Sequence, residues 1–140
     1  MQDFHPDCTI NLLVHSQGKP GKYAWVCTLV TRNSVRLLAA RRFLGIVSRE
    51  QADWACALFG LEQAARLQQE KVQLCADFSL SLDPAAGGKL RDPSIQSKKA
   101  EAEALWASFR LRKQGKISAE EDGFLRQEAM KAFSRKSKDD

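Results

Sequence analysis

Between Ser48 and Asp77 the apolar pattern changes period twice, and this limits the available folds more than any other feature of the chain. Ser48-Arg49-Glu50-Gln51 fits a capping box, with a serine three residues ahead of a glutamine. From Gln51 to Gln69 the chain is rich in Ala and Leu and has no proline. Its polar positions Asp53, Glu62, Gln63 and Arg66 leave a wide apolar surface, which predicts a long, largely buried helix. Lys71 to Asp77 then alternates as a strand does and ends on an acid. A helix of that length between two strands is a crossover, and a crossover implies parallel pairing in the sheet.

The strands it joins are legible upstream. Thr9 to Val14 is short, apolar and β-prone, and the turn cluster Gly18-Lys19-Pro20-Gly21 follows it after His15-Ser16-Gln17. Tyr23 to Val30 is rich in β-branched and aromatic residues, Arg32-Asn33-Ser34 supplies a turn, and Val35 to Leu44 makes a third strand. Three strands on short turns predict an antiparallel meander. Downstream, Asp83 to Lys89 reads as a loop, and Asp92-Pro93 as an N-cap followed by a first-turn proline. A helix is predicted over 94–109. Arg110 to Ile117, broken by Gly115, is the only candidate for a fifth strand. Ser118 to Glu121 reads as a second capping box, opening a helix with Leu125, Ala129 and Phe133 on one stripe, and the tail from Ser134 is expected to fray.

Composition narrows the function classes. The 140 residues make one domain, expected over 1–133 with a polar tail over 134–140. No run of 18 apolar residues exists to span a membrane, and the first residues lack the pattern of a secretion signal. Cys8, Cys27, Cys56 and Cys75 form no C-x-x-C pair, so buried, reduced thiols are expected, in a cytoplasmic setting. The net charge is +5, and it is concentrated. Residues 89–116 hold eight Lys/Arg against three Asp/Glu, the electrostatic footprint expected of a protein that neutralises phosphates. The plainer alternative is a solvated helical face.

Together these features resemble the ribonuclease H family. Type-I members open with Asp-Gly-Ser at the end of the first strand, then Gly-Asn-Pro-Gly and an aromatic second strand. Here the chain has His15-Ser16-Gln17, then Gly18-Lys19-Pro20-Gly21-Lys22-Tyr23. The family helix begins Thr-Asn-Asn-x-Ala-Glu-Tyr and continues to Gly-Leu-Glu-x-Ala. Here it reads Ser48-Arg49-Glu50-Gln51-Ala52-Asp53-Trp54, then Gly60-Leu61-Glu62-Gln63-Ala64. The family's fourth strand ends Asp-Ser, where this one has Ala76-Asp77-Phe78, and Glu121-Asp122-Gly123-Phe124-Leu125 is a looser counterpart of Ala-Asp-x-Leu-Ala. The match runs over about 10–80 and thins beyond it. The implied fold is α/β, a ribonuclease H-like mixed sheet: a three-strand antiparallel meander plus parallel strands, with a crossover helix and C-terminal helices.

The resemblance also implies a site. The family holds two divalent ions, magnesium or manganese, on four carboxylates, which activate water and stabilise the leaving oxygen. Carried over, those positions are His15, Asp53, Asp77 and Asp122. Asp53, Asp77 and Asp122 can ligate a hard cation, whereas a neutral imidazole at His15 offers one lone pair, cannot bridge two ions and favours softer metals. The family's histidine before its last helix has no counterpart, because His5 and His15 are the only histidines. Each position also has a plainer reading: His15 as a strand-end residue, Asp77 as a turn cap, Asp122 as an acid at a helix N-terminus. Trp25, Trp54 and Trp106 are read as core.

The leading expectation is therefore a degenerate ribonuclease H-like protein that binds nucleic acid, an RNA–DNA hybrid or duplex, with cleavage impaired or lost. Gly18, Lys19, Gly21, Lys22, Lys98, Lys99, Arg110 and Arg112 are the candidate contacts. Two alternatives stand beside it: an active metal-dependent ribonuclease with an altered first ligand, and a protein-interaction module on the same fold.

Overall fold

The computed structural model describes residues 6–18, 21–78, 82 and 93–139. The elements follow in the order β1 (Cys8–Gln17), β2 (Lys22–Thr31), β3 (Arg36–Ile46), α1 (Arg49–Arg66), β4 (Lys71–Ala76), α2 (Pro93–Ser108), β5 (Leu111–Gly115) and α3 (Ala119–Asp139). One five-stranded sheet has the order β3-β2-β1-β4-β5. The meander β1–β2–β3 is antiparallel, and β4 lies parallel to β1 with β5 parallel to β4. The α/β mixed sheet with a crossover helix is thus as the strand–helix–strand pattern predicts.

Both faces of β1 are buried, which is why it reads as a continuous apolar run rather than an alternating one. Ile10, Leu12 and Val14 join Trp25, Cys27 and Leu29 in the main core, together with Ala52, Cys56, Ala57, Leu61 and Ala64 of α1. Leu13 and Val26 face the other way, onto Leu125 and Ala129 of α3. Trp25 and Trp54 are buried and Trp106 packs at the core edge, so all three serve packing. The four cysteines are free buried thiols, and burial pushes each one up (Cys8 to about 11), which keeps them protonated and inert near neutral pH.

The boundaries differ from expectation in instructive ways. β1 runs on through His15, Ser16 and Gln17, because the hairpin register pairs these polar residues with Ala24, Tyr23 and Lys22. The capping box at Ser48 is complete: its hydroxyl accepts from Gln51 N at 3.1 Å while Gln51 Oε1 accepts from Ser48 N at 2.9 Å. α3 continues to Asp139 instead of fraying from Ser134, since that stretch contains no glycine or proline to stop it. β5 does form within the Arg110–Ile117 window, as an edge strand exposed along Leu111 to Gln114. The expected loop Asp83 to Lys89 and the cap at Asp92 lie outside the described residues. Among the described residues no helix is long and apolar enough to cross a membrane.

Candidate functional site

Parallel pairing of β1 with β4 brings Asp77, exposed just past the end of β4, alongside β1. Its backbone N–H donates to Leu12 O and its Oδ1 accepts from Val14 N, both at 3.1 Å. Asp77 is therefore anchored to β1 on either side of Leu13, its backbone on Leu12 and its carboxylate on Val14. α1 brings Asp53 close enough for the two acids to repel, and α3 brings Asp122 to the cavity that Asp77 also lines. That cavity, about 360 Å³, is bounded by Ala76, Asp77, Phe78, Lys116, Ile117 and Asp122.

Each helix acid arrives with its own cation. Asp53 Oδ1 accepts from Arg49 Nε at 2.9 Å, and Asp122 Oδ2 accepts from Arg126 Nε at 2.8 Å. Both are i,i+4 pairs, the spacing that sets side chains together on one helix face. Burial raises Asp53 to about 6 against the opposing pull of Arg49, and Asp77 adds to the rise. Asp77 is also pushed up, first by loss of water around it, while the Val14 N–H, Arg49 and Arg126 act to lower it. Arg126 is raised in turn by its bond to Asp122.

A raised carboxylate costs stability once it ionises. The contribution of Asp53 is full below its ordinary value of 3.8 and is lost as pH climbs through about 6, an upper bound of about 3 kcal/mol. Asp53→Asn is expected to flatten the stability profile between pH 4 and 7. At pH 7 it should change unfolding free energy by only about 1 kcal/mol, since Arg49 loses its partner. Urea melts across that range check this; an unchanged slope would show that Asp53 does not titrate there.

The structure separates the residues that the motifs grouped. His15 sits in edge contact with Phe133, the centroids 5.7 Å apart and the planes at 81°. The β1 residue bracketed by the two Asp77 hydrogen bonds is Leu13, a fully buried side chain packed on α3. Among the described residues, no three His, Cys, Asp or Glu side chains are grouped to hold a metal ion. A magnesium or manganese pair needs converging oxygen ligands. With Leu13 beside Asp77 and a guanidinium on both Asp53 and Asp122, the residues present do not fit it.

The basic candidates also divide. Gly18 closes the first hairpin at φ +82°, Gly21 lies beside Tyr23, and Lys22 is exposed at the start of β2. Lys19 lies outside the described residues. Lys99 is spent on packing: it bonds Glu103 at 2.8 Å with little exposure and lies 6.0 Å over the Trp54 ring. Lys98 is half-buried on the same helix. Arg110 is open, loosely paired with Glu70 at 3.8 Å, and Arg112 donates to Phe109 O at 3.3 Å. Sequence reasoning passes over Arg49, Arg126 and Lys116. The first two are marked only by their i,i+4 spacing to an acid, and Lys116 only by lying in the basic segment.

A sheet ordered 3-2-1-4-5, with an antiparallel meander, a crossover helix and an acid at the end of the strand next to β1, is the ribonuclease H fold. Three solved structures place it there. Ribonuclease H1 from the halophilic archaeon Halobacterium salinarum NRC-1 superposes with a TM-score of 0.73 at 21% identity, over 91% of this chain and 98% of that one. The N-terminal ribonuclease H domain of rv2228c from Mycobacterium tuberculosis gives 0.73 at 20% identity, over 89% and 97%. LC11-ribonuclease H1, isolated from compost by a metagenomic approach and solved with an RNA/DNA hybrid, gives 0.72 at 14% identity, over 91% and 97%. The likeness is one of fold. No protein-family model matches the chain, and no curated protein matches it by sequence.

Proposed function

We propose that this chain binds nucleic acid, an RNA–DNA hybrid or duplex, on a ribonuclease H fold in which phosphodiester cleavage is impaired or lost. The observation that carries the reading is the site itself. Asp53 and Asp122 each share their carboxylate with an arginine, and β1 sets apolar Leu13 beside Asp77. Binding is supported by the hybrid held in the LC11-ribonuclease H1 structure and by the exposed cations Arg110, Arg112, Lys113 and Lys116 along and beyond β5. Cations of this kind position a duplex through its phosphates without reading its sequence.

Fluorescence anisotropy with a labelled RNA–DNA hybrid tests it. The logarithm of the affinity is expected to fall linearly with the logarithm of salt concentration. Neutralising Lys98, Arg110 and Arg112 together should weaken binding and flatten that slope by about one for each phosphate that is no longer neutralised. Hybrid binding that ignores both salt and these substitutions, or no binding at all, would contradict the reading and leave the protein-interaction alternative.

A further inference from the structure

A second cavity, about 380 Å³, lies on the α3 side of the sheet, between β1, β4 and the start of α3. The parallel register sets Thr9 beside Gln73 and Asn11 beside Cys75, so these four side chains share one face and line it together. Asn11 is only 5% exposed. Its Nδ2 donates to Thr28 Oγ1 and Glu121 Oε2, whereas its Oδ1 has no donor among the described residues. The half-buried side chains of Thr9 and Gln73 likewise have no partner among the described residues. Gln73 reaches across β5 at Gly115, where an added Cβ would collide with Gln73 Nε2 and lie 3.5 Å from Cys75 Sγ, so glycine leaves the amide its place. Two cations stand on the same wall. Lys116 is exposed, with no ion-pair partner among the described residues, and Arg32 pairs with Asp7 at 3.7 Å and is 57% exposed. The Glu121 carboxylate also lines the cavity, but Asn11, Thr28 and Arg36 take it up.

A buried acceptor without a donor calls for a hydroxyl or amine from a ligand, and Thr9 and Gln73 add donors and acceptors beside it. The two cations call for an anion at the other end. No aromatic ring lines the cavity among the described residues, so a nucleobase would find nothing to stack on. We propose that this cavity binds a small sugar phosphate, its hydroxyls toward Asn11, Thr9 and Gln73 and its phosphate toward Lys116 and Arg32. The volume falls inside the range of about 300–1,000 Å³ usual for small-molecule sites. Lys116 also lines the cavity of Asp77 and Asp122, whereas Gln73 does not, so Gln73 belongs to this pocket alone. The pocket stands independently of the nucleic-acid reading above.

The test is isothermal titration of the natural chain with ribose 5-phosphate, ribose, inorganic phosphate and uridine monophosphate. Ribose 5-phosphate is expected to bind about tenfold tighter than ribose or phosphate alone, since only it engages both ends of the cavity. Gln73→Ala should weaken it about fivefold, and Lys116→Gln about threefold, an exposed charge being worth less. Both replace side chains that hold nothing else in the fold. Gly115→Ala should weaken it about threefold by pushing the Gln73 amide aside, without itself touching the ligand. Hybrid affinity of Gln73→Ala, measured by anisotropy, should equal that of the natural chain. Ribose 5-phosphate that does not bind, binds no tighter than phosphate alone, or ignores Gln73→Ala overturns the inference, and so does tighter binding of uridine monophosphate. A loss of hybrid affinity in Gln73→Ala would also overturn it, by making the cavity part of the nucleic-acid surface.

Discussion

Glu121→Ala is expected to lower the unfolding free energy by about 3 kcal/mol, although nothing in its sequence context marks this side chain as part of the core. Glu121 opens α3, its N–H bonding to Ser118 Oγ at 3.3 Å, but its carboxylate turns into the sheet. Oε2 accepts from Asn11 Nδ2 at 3.4 Å and from Thr28 Oγ1 at 3.3 Å, and Oε1 pairs with Arg36, whose guanidinium lies 3.8 Å over the Phe124 ring. Asn11, Thr28 and Glu121 are all buried, at 5%, 0% and 8% exposure. Removing the acceptor leaves two buried donors with only each other, 3.3 Å apart. Arg36 is 39% exposed and regains water, which keeps the loss near the lower end for a broken buried pair. Glu121→Gln keeps one oxygen acceptor and should cost about 1 kcal/mol. Urea denaturation of the three proteins decides it, and a loss below about 1 kcal/mol for the alanine variant would mean that the network carries little.

Gly60→Val should destabilise by a similar amount, about 3 kcal/mol, for a purely steric reason. α1 crosses the sheet so closely at Gly60 that a Cβ there would lie 2.8 Å from Ile10 Cγ2, 2.9 Å from Leu12 Cδ2 and 3.3 Å from Cys27 Sγ. Those three side chains are fully buried in the main core and have nowhere to retreat. Helix propensity favours Val over Gly by only a few tenths of a kcal/mol, so the clash wins. Gly123→Ala in α3 is the matching control: nothing lies within 4 Å of the added methyl, and a gain of about 0.5–1 kcal/mol is expected. Thermal melts of the two variants should move in opposite directions; a Gly60→Val protein as stable as the natural chain would show that the α1–β1 packing is loose.

The meander and the crossover are legible because burial stamps its period on them. The central runs of β1 and β2 are apolar, α1 shows one wide apolar face, and the helix between strands leaves parallel pairing as the outcome. β5 leaves almost no mark, since an edge strand exposed along Leu111 to Gln114 has no alternation to display. The site is harder. Asp53, Asp77 and Asp122 are found through motifs, and the structure brings Asp77 to the same cavity as Asp122 and within electrostatic reach of Asp53. Which β1 residue adjoins them depends on the β1–β4 register, a long-range pairing that no local motif encodes. The motif spacing points to His15, whereas the hydrogen bonds of Asp77 bracket Leu13. Glu121 looks like half of a capping box, because Ser-x-x-Glu has the same spelling whether the acid turns back to the cap or inward to the sheet.

Incubating a stoichiometric amount of the protein with an RNA–DNA hybrid labelled on its RNA strand, in magnesium and then in manganese, shows whether the protein binds the hybrid without cutting it. The bound fraction is recovered and the RNA resolved on a denaturing gel. RNA that is bound in a salt-sensitive manner and remains full length with either metal is the expected result. Shortened RNA that appears with a metal and disappears in Asp77→Asn would contradict it, and would make the altered site a working one.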